Sequence, residues 1–290
     1  MSYRGRFAPS PTGRLHFGSL IAALGSWLRA KSQEGVWLVR IEDVDQIREV
    51  PGAAENILAT LDAFGLQADE TIVRQSTRFA LYEDALQRLR DRDLAYPCWC
   101  SRTDLAPYRS IHPDQCIAAP SANRAPAWRA RISDETVRFE DAVRGCFSQD
   151  LKSDVGDFVL RRVDGAYSYQ LAVAIDDDAQ GITEVVRGAD LLDSTPRQIF
   201  LQRLLGIATP NYLHLPVALD EHGRKLSKHE QARAVDPENP LPALREALAF
   251  LGQCVPEATT VDAFLRAAIR NFDVGRIPHR RYDDAALRKD

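Results

Sequence analysis

Long apolar runs, a basic surplus and a dense set of cysteines are all missing from this sequence, and each shortage removes a class of protein. No stretch approaches the ~18 apolar residues that a membrane span needs. The opening residues, MSYRGRFAPSPTG, have no apolar core of the kind a secretory leader carries. A cytoplasmic protein without a membrane partner is therefore expected. Lysine and arginine number 37 against 41 aspartate and glutamate, for a formal net charge of −4. A protein that coats nucleic acid through its phosphates alone is normally basic, so any RNA contact must come from a local face. The arginines of RNFDVGRIPHRR, from Arg270 to Arg281, fit a solvated helix end as well as they fit an RNA contact. The five cysteines are odd in number and sparse, which argues against a secreted disulfide framework. Cys146 and Cys254 stand alone and are expected to be buried small hydrophobes. No repeat and no low-complexity tract is found.

What remains is a 290-residue chain with 45% hydrophobic and 27% charged residues, the balance of an ordinary globular protein. That length suffices for one large domain or two small ones. Val36 to Ile41 (VWLVRI) is apolar except for one arginine and rich in β-formers, the pattern of a buried strand. Leu20, Ile21, Leu24, Trp27 and Leu28 recur at helical spacing before it. Further helices are predicted at about Gly52 to Phe64 and Thr77 to Arg90. Strand and helix in alternation predict an α/β fold with a parallel sheet. Residues 96–127 break the pattern, being rich in Pro, Ser, Ala and Cys, and read as an inserted, metal-organised lobe. Phe158 to Ile175 is expected to form two strands around a hairpin turn at Asp164-Gly165. Thr195 is expected to cap a helix, with Pro196 at its first position and Gln198 completing a capping box. Two helices are predicted near 241–252 and 260–272, followed by a polar tail.

Two motifs carry the chemistry. In Arg6-Phe-Ala-Pro-Ser-Pro-Thr-Gly-Arg-Leu-His16-Phe-Gly18-Ser19, the prolines stiffen a turn that leads into the Leu20 helix. Gly18 removes a side chain at the helix start, so a phosphate can approach the backbone amides and the positive end of the dipole. His16 stands beside that opening as a donor. In Gly223-Arg-Lys225-Leu226-Ser227-Lys228, two lysines three apart form a cationic loop suited to a triphosphate. Either motif alone is more often an ordinary capped or solvated turn. Together, HxGS and KLSK resemble the paired signature elements of the class I aminoacyl-tRNA synthetases. The resemblance extends through RFAPSPTGRLHFGSL, RIEDVDQIR (Arg40 to Arg48) and VVRGADLLDSTPRQ (Val185 to Gln198), and is closest to glutamyl-tRNA synthetases over most of residues 3–230.

That resemblance implies a Rossmann-type catalytic domain in two halves, 1–95 and 156–232, the second carrying the KLSK loop. It also implies an inserted zinc lobe at 96–155 and a short helical region at 233–290. At 290 residues a separate anticodon-binding module is not expected. The short members of the family that carry HFGSL and a Cys-x-Cys insertion activate glutamate without tRNA. They transfer it to the queuosine base in the anticodon arm of tRNA(Asp). By resemblance, Arg6, Ala8, Ser10, Glu42, Tyr169 and Arg187 bind L-glutamate, while His16, Gly18, Ser19 and Lys228 hold ATP with Mg²⁺. His16, Lys225 and Lys228 are the expected catalytic groups. The physics agrees, since two carboxylates call for arginine forks and an ammonium for a carboxylate such as Glu42. An arginine at position 6 is expected to favour glutamate over glutamine. For Asp43 and Asp45, a solvated acidic turn is as good a reading as a role in packing.

Cys98, Cys100 and Cys116 with His112 form a closed tetrahedral set of the structural zinc kind, against the plainer reading of reduced free cysteines. The family commonly has a tyrosine at the fourth position. Here that spacing falls on His112, with Tyr108 the rival four residues away. Three alternatives stay open: a paralogue charging an ordinary tRNA 3′ end, a nucleotidylyltransferase with an HxGH-like turn, and an inactive RNA-binding adaptor. Nothing in the sequence calls for more than a monomer.

Overall fold

The computed structural model describes residues 2–109, 111–113, 115–218 and 234–279. Three strand–helix units come first: β1 (Arg4–Phe7), α1 (Phe17–Ser32), β2 (Val36–Ile41), α2 (Ala53–Ala63), β3 (Val73–Arg74) and α3 (Phe79–Asp91). The middle of the chain holds β4 (Ala95–Cys98), α4 (Arg102–Leu105), β5 (Ala127–Ala130), β6 (Thr136–Asp141), β7 (Gly145–Asp150), α5 (Leu151–Asp154) and β8 (Val159–Arg161). Then follow α6 (Tyr169–Ala179), β9 (Glu184–Gly188), α7 (Thr195–Leu205), β10 (Asn211–Leu215), α8 (Pro240–Phe250) and α9 (Val261–Asn271).

The strands β1, β2 and β3 are parallel, as are β9, β10 and β6, with β7 antiparallel at the far edge. β1 runs beside β9, where the Thr183 N–H donates to Arg4 O at 2.9 Å. The parallel order is thus β3-β2-β1-β9-β10-β6. Both faces are covered. In β2, Trp37 and Val39 pack with α1, α2, α8 and α9, while Leu38 turns to the core under α3, α6 and α7. This alternation follows from the two-residue period of a strand. Burial on both sides is why VWLVRI reads as a nearly unbroken apolar run. A separate antiparallel sheet, β4-β5-β8, carries the cysteine-rich segment. β6, which also comes from residues 96–155, joins the main sheet instead, with Asp141 opposite Tyr212 of β10.

Several local expectations are corrected. The Asp164-Gly165 turn forms, with Gly165 at φ 89° and the Arg162 N–H bonded to Ala166 O, but the return strand amounts to one bridge, Arg161 to Tyr167. Ser168 then accepts from the Leu171 N–H as an N-cap, and the predicted second strand is the helix α6. Thr195 is not a cap. A 3-10 turn over Ala189–Ser194 runs straight into α7, Ser194 occupies the cap position without a side-chain capping bond to the helix, and the Thr195 hydroxyl is taken by Arg187. Cys146 and Cys254 are exposed rather than buried, because neither faces one of the two cores.

Candidate active site

A cleft of about 500 Å³ opens at the carboxyl ends of β1, β9 and β10, bordered by Phe7, Gly188 and Leu215 and by the first turn of α1. The helix after β1 packs on one face of the sheet and the helix after β9 on the other. Such a switch point leaves a crevice beyond the strand ends without any side chain having to make room for it.

Arg6, Ala8, Ser10, His16, Gly18, Ser19, Tyr169 and Arg187 all line this cleft. His16 is the N-cap of α1. Its Nδ1 accepts from the Ser19 N–H at 3.2 Å, and Nε2 stands 3.0 Å from Ser19 Oγ. A lone pair on Nδ1 fixes the proton of the neutral ring on Nε2, which puts a donor toward Ser19 Oγ at the mouth of the helix. A Cβ added at Gly18 would come within 3.3 Å of the imidazole, so glycine lets the ring lie over the helix end. The other half of the expected nucleotide site, Lys225 and Lys228, falls outside the described residues.

The charges beneath the cleft divide into two groups. In the first, Arg6 donates to Asp177 at 3.0 and 3.4 Å, and Arg40 pairs with Asp177 at 2.8 Å, Glu42 at 3.3 Å and Asp176 at 3.9 Å. Arg78 adds a 2.6 Å pair to Asp176. Three cations thus face three carboxyl groups. Burial works against an ionised Asp177, yet Arg6 and Arg40 outweigh it and hold its carboxyl below the usual range. For Glu42 burial prevails and raises the carboxyl despite Arg40 and Arg6. Glu42 does not reach the cleft wall; it is engaged by Arg40.

Arg187 forms the second group and is 4% exposed. Its Nε–H donates to His214 Nε2 at 3.1 Å, Nη1 to Tyr169 Oη at 3.3 Å and Nη2 to Thr195 Oγ1 at 2.7 Å. A guanidinium has five N–H donors, so two remain. His214 is itself buried and bonded through Nδ1 to Asp141 at 2.6 Å. Burial pushes its ring down to about 4, with Arg187 adding to the effect and the Asp141 hydrogen bond opposing it. At neutral pH every hydrogen-bond partner of Arg187 is therefore uncharged, and among the described residues no carboxylate is bonded to it directly. Asp177, His214 and Asp141 were not singled out from the sequence. The one sign of them was a strand-like NYLHL with a histidine in an apolar run.

At the far lobe, Cys98, Cys100, His112 and Cys116 bring their ligand atoms within 4.8 Å of one another. His112 Nε2 lies 3.3 Å from Cys98 Sγ and 3.7 Å from Cys116 Sγ. A tetrahedral ion with metal–sulfur and metal–nitrogen bonds of about 2.3 and 2.0 Å needs ligand separations of about 3.5–3.8 Å, so the set fits. The other ring nitrogen, Nδ1, faces Pro113 O at 2.7 Å, fixing the tautomer that leaves Nε2 free for a metal. Tyr108 is exposed and outside the cluster.

The family described as tRNA synthetases class I (E and Q), catalytic domain, matches residues 2–240. A glutamyl-Q tRNA(Asp) synthetase of Xanthomonas oryzae pv. oryzae is 54% identical over 289 residues, covering 98% of this chain and 96% of its own length. One from Burkholderia mallei is 53% identical over 293 residues, covering 96% and 99%. Among solved structures, the glutamate-tRNA synthetase of Elizabethkingia anophelis superposes with a TM-score of 0.80 at 26% identity, over 99% of this chain and 69% of the longer one. A glutamate tRNA ligase from Elizabethkingia meningosepticum, solved in complex with its amino acid, gives 0.79 at 26% identity over 96% of this chain and 66% of its own. Parallel sheet, switch-point cleft, paired motifs and near full-length relatives agree: the chain belongs to the class I tRNA synthetases of the E and Q type, in the group of the glutamyl-Q tRNA(Asp) synthetases.

Proposed function

We propose that this chain activates L-glutamate with ATP and passes the glutamyl group to the queuosine base in the anticodon arm of tRNA(Asp). The observation that carries the reading is Arg187, a buried cation whose hydrogen-bond partners are all neutral and which keeps two donors for a carboxylate. Arg6, Ala8, Ser10 and Tyr169 complete the glutamate pocket. Glu42 acts through the charge network, since an ammonium brought near it favours its ionised form. One oxygen of the glutamate α-carboxylate attacks the α-phosphorus of ATP, and the bond to the β-phosphate oxygen breaks, releasing pyrophosphate. His16 Nε2–H, Gly18 and Ser19 at the start of α1 receive the phosphates, with Lys228 and Lys225 stabilising charge from their loop. Mg²⁺ bound with ATP supplies charge neutralisation on phosphate oxygens. A queuosine hydroxyl then attacks the activated carbonyl, loses its proton and displaces AMP.

The reading includes a structural zinc held by Cys98, Cys100, His112 and Cys116 in the lobe at 96–155, and a monomer acting in the cytoplasm. Four protein ligands leave no position for a catalytic water, so the zinc organises the lobe and takes no part in activation. The test is ATP–pyrophosphate exchange with each amino acid in the absence of RNA, followed by the mass of tRNA(Asp), with and without queuosine, after incubation with ATP and glutamate. Exchange with glutamate alone and a glutamyl mass shift only on the queuosine-containing tRNA are expected. Exchange with another amino acid, or a shift on the unmodified tRNA, overturns the proposal.

A further inference from the structure

The two strands that flank the cleft are in parallel register with His214 directly beside Arg187. On the other side of β10, Asp141 at the end of β6 reaches both the backbone and the ring of His214. The carboxylate of Asp141 is divided by function. Its Oδ1 accepts three backbone N–H groups, from Val143 at 3.0 Å, Arg144 at 2.8 Å and His214 at 3.2 Å. Its Oδ2 accepts the ring Nδ1–H of His214 at 2.6 Å. With the proton on Nδ1, the lone pair is on Nε2, where Arg187 Nε–H arrives at 3.1 Å and the Thr195 hydroxyl lies at 3.3 Å.

We propose that His214 is a positioning residue for the amino-acid site: held as one tautomer by Asp141, it takes the Nε–H of Arg187, fixes where the two spare guanidinium donors point, and adds no negative charge. The inference rests on the glutamate reading of the cleft and deepens it. A carboxylate at position 214 would make the same hydrogen bond but would cancel the charge of Arg187, and with it the preference for an acidic side chain. A histidine held neutral makes the bond and leaves the charge standing. All four groups, Asp141, His214, Arg187 and Thr195, are buried, so no water competes for these bonds.

Asp141→Asn is the decisive variant because it keeps the shape and reverses one donor. The three backbone N–H groups hold the asparagine Oδ1 where the carboxylate Oδ1 was. The amide nitrogen therefore faces His214 Nδ1, and the ring is forced into the Nε2–H tautomer, with a donor facing a donor at Arg187. The same logic, a wrong tautomer in an intact geometry, is how the Asp-to-Asn change acts in serine proteases. His214→Gln is the rescue, since its carbonyl can accept from Arg187 while its amide donates to Asp141.

Glutamate-dependent pyrophosphate exchange is measured on wild type, Asp141→Asn, His214→Ala and His214→Gln, and the ring tautomer of His214 is read by ¹⁵N NMR on the wild type and Asp141→Asn. A loss equal to one hydrogen bond to a charged group is at least about tenfold. The KM for glutamate is expected to rise by that much in Asp141→Asn and His214→Ala, with the KM for ATP unchanged and His214→Gln near wild type. Should His214→Ala fail to fold, the other two variants decide. An unchanged glutamate KM in Asp141→Asn, an equal rise for both substrates, or an Nε2–H tautomer in the wild type overturns the inference. A wild type with no glutamate-dependent exchange overturns the functional reading instead, and the tautomer still reports on His214 alone.

Discussion

Replacing Arg187 with glutamine separates recognition from folding. The side chain has two donors left for substrate, and each hydrogen bond between charged groups is worth about 1.5–3 kcal/mol. Losing both removes about 3–6 kcal/mol, or two to four powers of ten in kcat/KM for glutamate. Stability should fall by less than on breaking a buried ion pair, because the groups left behind (His214 Nε2, the Tyr169 hydroxyl and the Thr195 hydroxyl) are neutral and each costs about 1–3 kcal/mol only where the glutamine amide does not replace the lost donor. Removal of Arg187 leaves no orphaned charge in the interior. Pyrophosphate exchange at varied glutamate and varied ATP provides the assay, alongside a urea melt. The expected outcome is a collapsed glutamate dependence, an ATP KM within twofold of wild type and a midpoint lowered by less than in Asp177→Asn. Arg187→Lys keeps the charge but has three donors at one point, which cannot serve three internal partners and a carboxylate together, so an intermediate loss is expected. A glutamate KM within threefold of wild type in Arg187→Gln would refute the assignment of Arg187 as the carboxylate receptor.

Asp177→Asn should have the opposite profile, because Arg6 and Arg40 share that buried carboxylate; a loss of about 3–5 kcal/mol in chemical denaturation is expected, and a midpoint equal to wild type would contradict the pairing. Elemental analysis of purified protein should find one zinc per chain, absent in Cys98→Ser and retained in Cys146→Ser, whose thiol is exposed and outside the cluster; equal metal in both variants would rule the cluster out. The pH dependence follows from His214, whose ring is held at about 4 in the folded protein against about 6.5 in the unfolded chain. The folded state resists protonation, so this contribution is fully present above about pH 6.5 and is lost as pH falls toward and through about 4. It is worth about 3 kcal/mol in total, and the difference in acid sensitivity between wild type and His214→Gln measures it; identical profiles would show that His214 is not held neutral.

Much of this molecule is legible in its sequence because burial on both faces leaves a plain trace. VWLVRI could hardly be anything but a central strand, and the stripe from Leu20 to Leu28 occupies one side of α1, as its spacing requires. Misreadings arise where short-range signals are degenerate. LAVAI is apolar without a period, so it suits a strand or a buried helix equally, and Ser168 as N-cap tips it to α6. Thr195-Pro196 has the composition of a helix start, but the 3-10 turn before it is already helical and Arg187 claims the hydroxyl. In the site, Arg6, Ala8, Ser10, His16, Glu42 and Arg187 are reached through the stretches that resemble the family, and Tyr169 through the same resemblance, not through local pattern. Asp177, His214 and Asp141 lie outside those stretches. Parallel register and a crossover bring them in from elements far apart in the chain, and local pattern does not encode register between strands separated by a helix.

The arrangement of charge explains why a site so rich in arginine can be selective. Among the described residues Arg14 stands at the exposed rim of the cleft and four more arginines lie in or under its buried wall; if all of these four were open, any anion of suitable size would be drawn in. Arg6, Arg40 and Arg78 are instead paired with Asp177, Glu42 and Asp176, which makes them a rigid floor rather than a general anion trap. Of these four arginines Arg187 alone has no carboxylate bonded to it among the described residues, and its direction is fixed by three neutral acceptors at three separate nitrogens. An amide side chain meeting that group would leave a buried charge uncompensated, whereas a carboxylate compensates it and takes both spare donors. Discrimination between two isosteric amino acids then depends on the balance of the floor as much as on Arg187. A change that frees Arg6, such as loss of Asp177, should therefore loosen selectivity as well as stability.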